Sequence, residues 1–400
     1  MEGSNSRAFP AGFGWGTATA AHQVEGGNWN NDWWAWEHAD GSPCEEPSGD
    51  ACDSWHRWHE DVELAAGLGL STYRFSIEWS RIEPEPGEWS SAAIGHYRAL
   101  CTALRARGIE PTVTFHHFTT PRWVVAAGGW EDPATAGRFA AFCRRAAGEL
   151  ADVMGRACTI NEPNIVATVG WLWGAFPPGR SDRAARHRVN DVFADAHRQA
   201  VEAIRSAAPG VPVGLTLSMT DYQAVDGAEE RRDRIRRGME DVFLAAVEGD
   251  DFLGVQAYTR ERIGPGGVLG PEDGVPVGSM GYELWPEALE ATLRRAWDVT
   301  GGRVPLLVTE NGAGTDDDAQ RIAYVHGALE GVLRCLDDGL DVRGYTCWSL
   351  LDNFEWAFGY RPRFGLVSVD RATFARTPKP SYHWFAEVAR TNTLVPPPVG

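Results

Sequence analysis

No run in this chain is apolar over the ~18–20 residues that a membrane span needs. The segment Met1 to Pro10 is polar and carries no apolar h-region, so no signal peptide is expected there and a cytoplasmic protein fits. Cysteine is present but unpatterned: Cys44, Cys52, Cys101, Cys143, Cys158, Cys335 and Cys347 form no C-x-x-C pair. That speaks against a zinc ribbon or a dithiol redox motif, and even Cys44 and Cys52 are expected as reduced thiols. There is no H-E-x-x-H helix, no Cys/His cluster, no G-x-S-x-G elbow and no Walker loop. Metal, serine-hydrolase and nucleotide chemistry therefore have no motif to rest on, and no cofactor is implied. Spacer tracts and repeats of 20–50 residues are missing too, which favours one domain over residues 1–400. Positive charge is in deficit, 37 Lys and Arg against 55 Asp and Glu, for a formal net charge of −18. Such a surface is solvated and repels nucleic acid and anionic membranes. Oligomeric state is not legible.

What the sequence does contain is alternation. Short apolar runs predict strands at Gly12–Gly16, Thr72–Ile77, Glu110–His116, Ala157–Ile160, Pro212–Ser218, Phe252–Gln256, Pro305–Thr309 and Val342–Ser349. Between them, helical patterns cover His56–Gly67, Gly95–Arg107, Ala134–Ala151, Asn190–Ala207, Gly238–Val247, Trp285–Val299 and Ala319–Asp338. Strands alternating with helices argue for parallel βαβ units, and eight units argue for an α/β fold of the closed (β/α)8 TIM-barrel type. The rival, a doubly wound open sheet, would carry a Gly-rich phosphate turn after its first strand. Thr17-Ala18-Thr19 does not supply one.

In such a barrel the active site forms at the C-terminal ends of the strands. The polar and aromatic residues expected there are Gln23, Arg74, Glu78, His116, His117, Asn161, Glu162, Gln256, Tyr258, Glu310, Asn311, Trp348, Glu355 and Trp356. His116 and His117 are adjacent on an extended segment, so their side chains point apart and do not make a metal pair. Glu162 and Glu310 follow the fourth and seventh strands, on opposite sides of the mouth. Two carboxylates placed so can flank a glycosidic bond, one protonated and one ionised. The 18 Trp add to this, because sugar C–H faces stack on indole while hydroxyls need planar polar partners. Trp36, Trp171, Trp173, Trp348 and Trp356 lie in predicted loops or at strand ends, whereas Trp33, Trp34, Trp123 and Trp130 read as staples under loops.

Several ordered motifs then coincide. They are Phe9-Pro10-Ala11-Gly12-Phe13-Gly14-Trp15-Gly16-Thr17-Ala18-Thr19-Ala20-Ala21-His22-Gln23-Val24-Glu25-Gly26, Tyr73-Arg74-Phe75-Ser76-Ile77-Glu78-Trp79-Ser80-Arg81-Ile82, Asn161-Glu162-Pro163, Thr309-Glu310-Asn311-Gly312, Trp348-Ser349-Leu350-Leu351-Asp352-Asn353-Phe354-Glu355-Trp356 and Arg363-Phe364-Gly365-Leu366-Val367. Nearly end to end, the chain resembles glycoside hydrolase family 1, the β-glucosidase and β-galactosidase family of (β/α)8 barrels. The resemblance implies Glu162 as general acid/base and Glu310 as nucleophile of a retaining reaction, whose carboxyl groups should stand about 5–5.5 Å apart. It implies Gln23, His117, Asn161, Glu355 and Trp356 as sugar contacts, Trp348 as the stacking floor, and Arg74 and Tyr258 as partners of Glu310. Both partners favour an ionised Glu310 and should lower its pKa.

The chain also departs from the family. Gln256-Ala257-Tyr258 stands where the family usually has Asn-Tyr-Tyr, and the loops after the fourth and sixth strands read as trimmed, in a shortened member. Phospho-glycosidases of the family use a Ser/Lys/Tyr set in the eighth loop, where this chain has Glu355, so the expected substrate is a small β-glycoside of unphosphorylated glucose, galactose or fucose. Alternatives with the same residues are a transglycosidase, which shares the intermediate, and a sugar- or glycolipid-binding barrel without activity.

Overall fold

The computed structural model describes residues 7–398; residues 1–6 and 399–400, which include most of the polar N-terminal segment, lie outside it. Eight strands close into a barrel: β1 (Gly14–Ala18), β2 (Thr72–Ser76), β3 (Glu110–His117), β4 (Arg156–Asn161), β5 (Val213–Ser218), β6 (Phe252–Gln256), β7 (Leu306–Asn311) and β8 (Val342–Trp348). Each pairs in parallel with its neighbours in sequence, and β8 closes on β1 through Gly344↔Gly14 to Trp348↔Ala18. All eight expected strands form. The first starts at Gly14 rather than Gly12, because Gly12 turns the chain at φ 82° and Phe13 N–H bonds back to Pro10 C=O. Gly16 is dictated by closure: a Cβ there would fall 2.7 Å from Thr72 Cγ2 on β2.

Helices α1 (Ser54–Leu68), α2 (Ser91–Ala106), α3 (Ala134–Leu150), α4 (Arg183–Ala207), α5 (Glu229–Arg236), α6 (Glu287–Val299), α7 (Asp318–Asp337) and α8 (Pro380–Thr391) follow the strands in order. Each turns an apolar stripe toward the sheet, except α5, none of whose residues is buried. That explains why the pattern there surfaced only at Gly238–Val247, which is a π-helical turn at Arg237–Asp241 followed by a short helix. Helix α4 begins seven residues before its expected start. Asp182 caps it, accepting from Ala184 and Ala185 N–H, and its first turns are too polar to display a stripe.

The N-terminal face of the barrel is plugged. Phe9, Phe13 and Trp15 pack ring against ring, Trp15 also meets Phe385 of α8, and Asn392 accepts from Trp15 Nε1 at 2.9 Å. At the other face a small sheet unforeseen in the sequence places Arg260–Gly264 between Asp221–Ala224 and Gly267–Val268, following β5 and β6.

Candidate active site

The mouth at the C-terminal ends of the strands opens on a cavity of about 210 Å³. Gln23, His117, Asn161, Glu162, Tyr258, Glu310, Trp348, Glu355 and Trp356 all line it. Three of its lining residues hold left-handed backbone, Phe118 at φ 70°, Glu162 at φ 46° and Trp356 at φ 54°. Each such non-glycine conformation costs about 1–3 kcal/mol and persists where surrounding packing over-determines it. For Phe118 and Trp356 that packing is their mutual contact and the contact of each with a neighbouring aromatic ring.

Strand β7 delivers Glu310, which is 4% exposed. Arg74 Nη1 from β2 donates to Glu310 Oε1 at 2.5 Å, and Tyr258 Oη donates to Oε2 at 2.6 Å. Arg74 is itself fixed by Thr114 Oγ1 at 3.1 Å and by Asn161 Oδ1. Tyr258 is held through its backbone carbonyl, which accepts from Tyr324 Oη at 2.7 Å. Opposite, Glu162 forms the left-handed N-terminal junction of the helix Pro163–Thr168. Its Oε1 accepts from Gln256 Nε2 at 3.1 Å.

The environments of the two carboxyls are unequal. Burial, with the charge of Glu310 added to it, pushes Glu162 well above the usual carboxylate range. Burial also raises Glu310, against the pull of Arg74 and Tyr258. Arg74 and Tyr258 do lower Glu310 as expected, but desolvation outweighs them. The difference between the pair survives, because the cation and the phenol act on Glu310 directly. The proton belongs on Glu162.

The remaining wall is polar and planar. Gln23 Nε2 donates to Phe354 C=O at 2.8 Å and Asn353 Oδ1 at 3.1 Å, and stands 3.5 Å from Glu355 Oε2. Gln23 Oε1 is buried without a partner. Asn161 commits its oxygen to Arg74, so its Nδ2 donates to His117 Nε2 at 3.3 Å. The His117 proton therefore sits on Nδ1, which is also buried without a partner. Burial, helped by Arg74, keeps His117 neutral by lowering its pKa well below the usual range. Burial and the charge of Glu310 push Glu355 up to about 8. The rings of Trp348 and Trp356 lie nearly parallel to His117, at 17° and 13°. A free acceptor, a free donor and flat aromatic faces together suit a ring bearing hydroxyls.

Other expected residues face elsewhere. His116 packs outward against Trp130, Phe139 and Phe193. Glu78 caps the turn Trp79–Ile82 and binds Thr119, and Asn311 is spent on Ala257 C=O, Tyr324 and Tyr345. Trp36 and Trp171 line a separate recess together with Trp130, and Trp173 is 62% exposed. Trp33 is buried as a staple, with its ring on Trp356. The sequence reading missed Phe118, Phe176, Ser218, Met280, Tyr282 and Phe364 on the cavity wall. Ser218 ends β5, so the strand-end rule could have found it. Met280 and Tyr282 lie in an irregular stretch after β6, a connection expected to be trimmed, and no local pattern marks them. Among the described residues no three His, Cys, Asp or Glu are grouped to hold a metal, and no helix is long and apolar enough to cross a membrane.

The glycosyl hydrolase family 1 model matches residues 5–248 and 268–394. Among curated proteins, a 1,4-beta-D-glucan glucohydrolase of Thermotoga neapolitana is 31% identical over 443 residues, spanning 97% of this chain and 99% of that protein. Thermostable beta-glucosidase B of Thermobispora bispora is 35% identical over 445 residues, spanning 97% and 92%. Among solved structures, beta-glycosidase BGL167 superposes with a TM-score of 0.90 at 45% identity, covering 98% of this chain and 99% of that one. The beta-glucosidase from Thermotoga maritima in complex with noeuromycin gives 0.91 at 29% identity, covering 96% and 99%. These relatives are hydrolases, which sets aside a sugar-binding barrel without activity. With its barrel, its facing glutamates and this end-to-end likeness, the chain belongs to glycosyl hydrolase family 1 and is an O-glycosyl hydrolase of the β-glycosidase type.

Proposed function

We propose that this protein, acting as one catalytic domain, is a retaining β-glycosidase that removes terminal unphosphorylated β-D-glucosyl, galactosyl or fucosyl residues. The observation that carries the reading is the unequal pair: a buried Glu162, pushed toward its protonated form by burial and the Glu310 charge, facing a Glu310 held by Arg74 and Tyr258. In the first step a Glu310 oxygen attacks the anomeric carbon. The bond to the aglycone oxygen breaks, and that oxygen takes the Glu162 proton. Esterification removes the Glu310 charge, one of the causes that raise Glu162. Glu162, now ionised, takes a proton from water; the water oxygen attacks the anomeric carbon and frees Glu310.

Gln23, His117, Asn161, Glu355 and Trp356 would bind the sugar hydroxyls, with Trp348 as floor. The unpartnered Gln23 Oε1 and His117 Nδ1 support this, since an acceptor and a donor at one wall match hydroxyls that both give and take hydrogen bonds. Glu355 supplies no cation for a phosphorylated sugar, and relatives named as β-glucosidases support glucose first. The test is hydrolysis of an aryl β-D-glucoside followed by NMR of the first-formed anomer. A β-sugar product, and its loss in Glu310→Ala, are expected. Full activity in Glu310→Ala, or an α-product, would refute the assignment.

A further inference from the structure

One residue of the site departs from the usual family pattern: Gln256 stands where the resemblance implies Asn. The matched stretches of the family model leave out 249–267, which carries Gln256. Gln256 ends β6 and is fully buried, behind the cavity wall. Its Nε2 donates to Glu162 Oε1 at 3.1 Å, and its Oε1 accepts from Thr309 Oγ1 at 3.3 Å. With the Thr309 hydroxyl donating to that oxygen, the amide NH2 is left to face Glu162. The backbone contributes as well: Gln256 is paired in register with Glu310 across β6 and β7. The side chain thus reaches from the strand beside the nucleophile to the acid/base.

We infer that Gln256 is a positioning residue that reaches from the strand beside the nucleophile to hold Glu162 and biases it toward its carboxylate, the form needed to activate water in the second half-reaction. The inference rests on the retaining reading above. Its physical basis is charge. An amide N–H gives a stronger hydrogen bond to a carboxylate than to a neutral acid, so the contact favours the ionised form. In a pocket where burial drives Glu162 strongly toward protonation, an acid too weak to ionise would stall the glycosyl-enzyme. Ser218 and Arg74 offset part of that drive, and the Gln256 amide N–H points at the same carboxyl. The same amide also helps to hold Glu310 down.

The test uses the whole enzyme and the pH profile of kcat/KM on an aryl β-glycoside. The wild type must first give a bell whose activity disappears in Glu310→Ala. An enzyme without that activity would overturn the retaining reading and this inference together. Gln256→Met keeps length and burial and removes the amide. Its basic limb, set by Glu162, should move to higher pH by about one unit. Single-turnover measurements should show water attack slowed more than aglycone release at neutral pH. Thr309→Val keeps the shape of its side chain and frees the amide flip; it should move the same limb in the same direction by less, and it stands alone if Gln256→Met does not fold. A purely structural role would lower kcat and leave the limb in place. A basic limb that coincides with the wild type in either folded variant overturns the inference and leaves the retaining reading intact.

Discussion

Replacing Tyr258 by Phe isolates one hydrogen bond of the nucleophile. The phenol donates to Glu310 Oε2 at 2.6 Å, its ring packs edge-on against Phe364, and its main chain is anchored by Tyr324. Phe keeps the ring and the anchor and removes the donor. A hydrogen bond to a charged group contributes about 1.5–3 kcal/mol, and one pKa unit corresponds to about 1.4 kcal/mol, so Glu310 should rise by about one to two units. Attack requires ionised Glu310, so activity climbs as pH rises through its pKa. The acid limb of kcat/KM should therefore move to higher pH by that amount. The basic limb should stay, because Glu162 is held by Gln256 and not by Tyr258. The assay is initial rates on an aryl β-glucoside at low substrate across the bell. An acid limb that does not move, in a protein of unchanged melting temperature, would refute the claim that Tyr258 keeps the nucleophile ionised.

Arg74→Met should fold and be inactive, since a buried Glu310 without its cation escapes an uncompensated charge by taking a proton. Circular dichroism with an activity loss of three orders of magnitude or more, on the order expected for removing a key electrostatic group, checks this. A second expectation concerns acid stability. Burial, with the charge of Arg81 next, lowers His96 to about 4 from an ordinary 6.5, while its ring stacks on Trp55 at 3.8 Å. A histidine neutral in the fold but charged in the unfolded chain costs stability as pH falls below 6.5, increasingly down to about 4. His96→Phe should keep the stack and flatten that slope; urea midpoints of both proteins at neutral and mildly acidic pH measure it, and equal slopes would contradict it.

Most of the framework was legible because its signals are local. Strands such as β5 and β6 are short apolar runs buried on both faces, so even single-sequence patterning finds them. The errors fell where that signal fades: at α5, which buries nothing, and at the polar first turns of α4. The small sheet over β5 and β6 was missed because its strands are short and only partly buried.

The site divides along the same line. The identity and order of Glu162, Glu310, Arg74, Tyr258 and the hydroxyl-facing set are properties of the sequence, since strand ends and motifs are contiguous in it. Which of the strand-end residues face the cavity depended on the tertiary structure. Neighbouring side chains on one strand point opposite ways, so His117 lines the mouth while His116 enters the core; Asn311 and Glu78 are consumed by structural hydrogen bonds. Tertiary structure also added the desolvation that outweighs the expected lowering of Glu310 by its partners. Partners can be guessed from a motif, whereas desolvation depends on everything that closes over the carboxyl, and in this barrel desolvation is the larger effect.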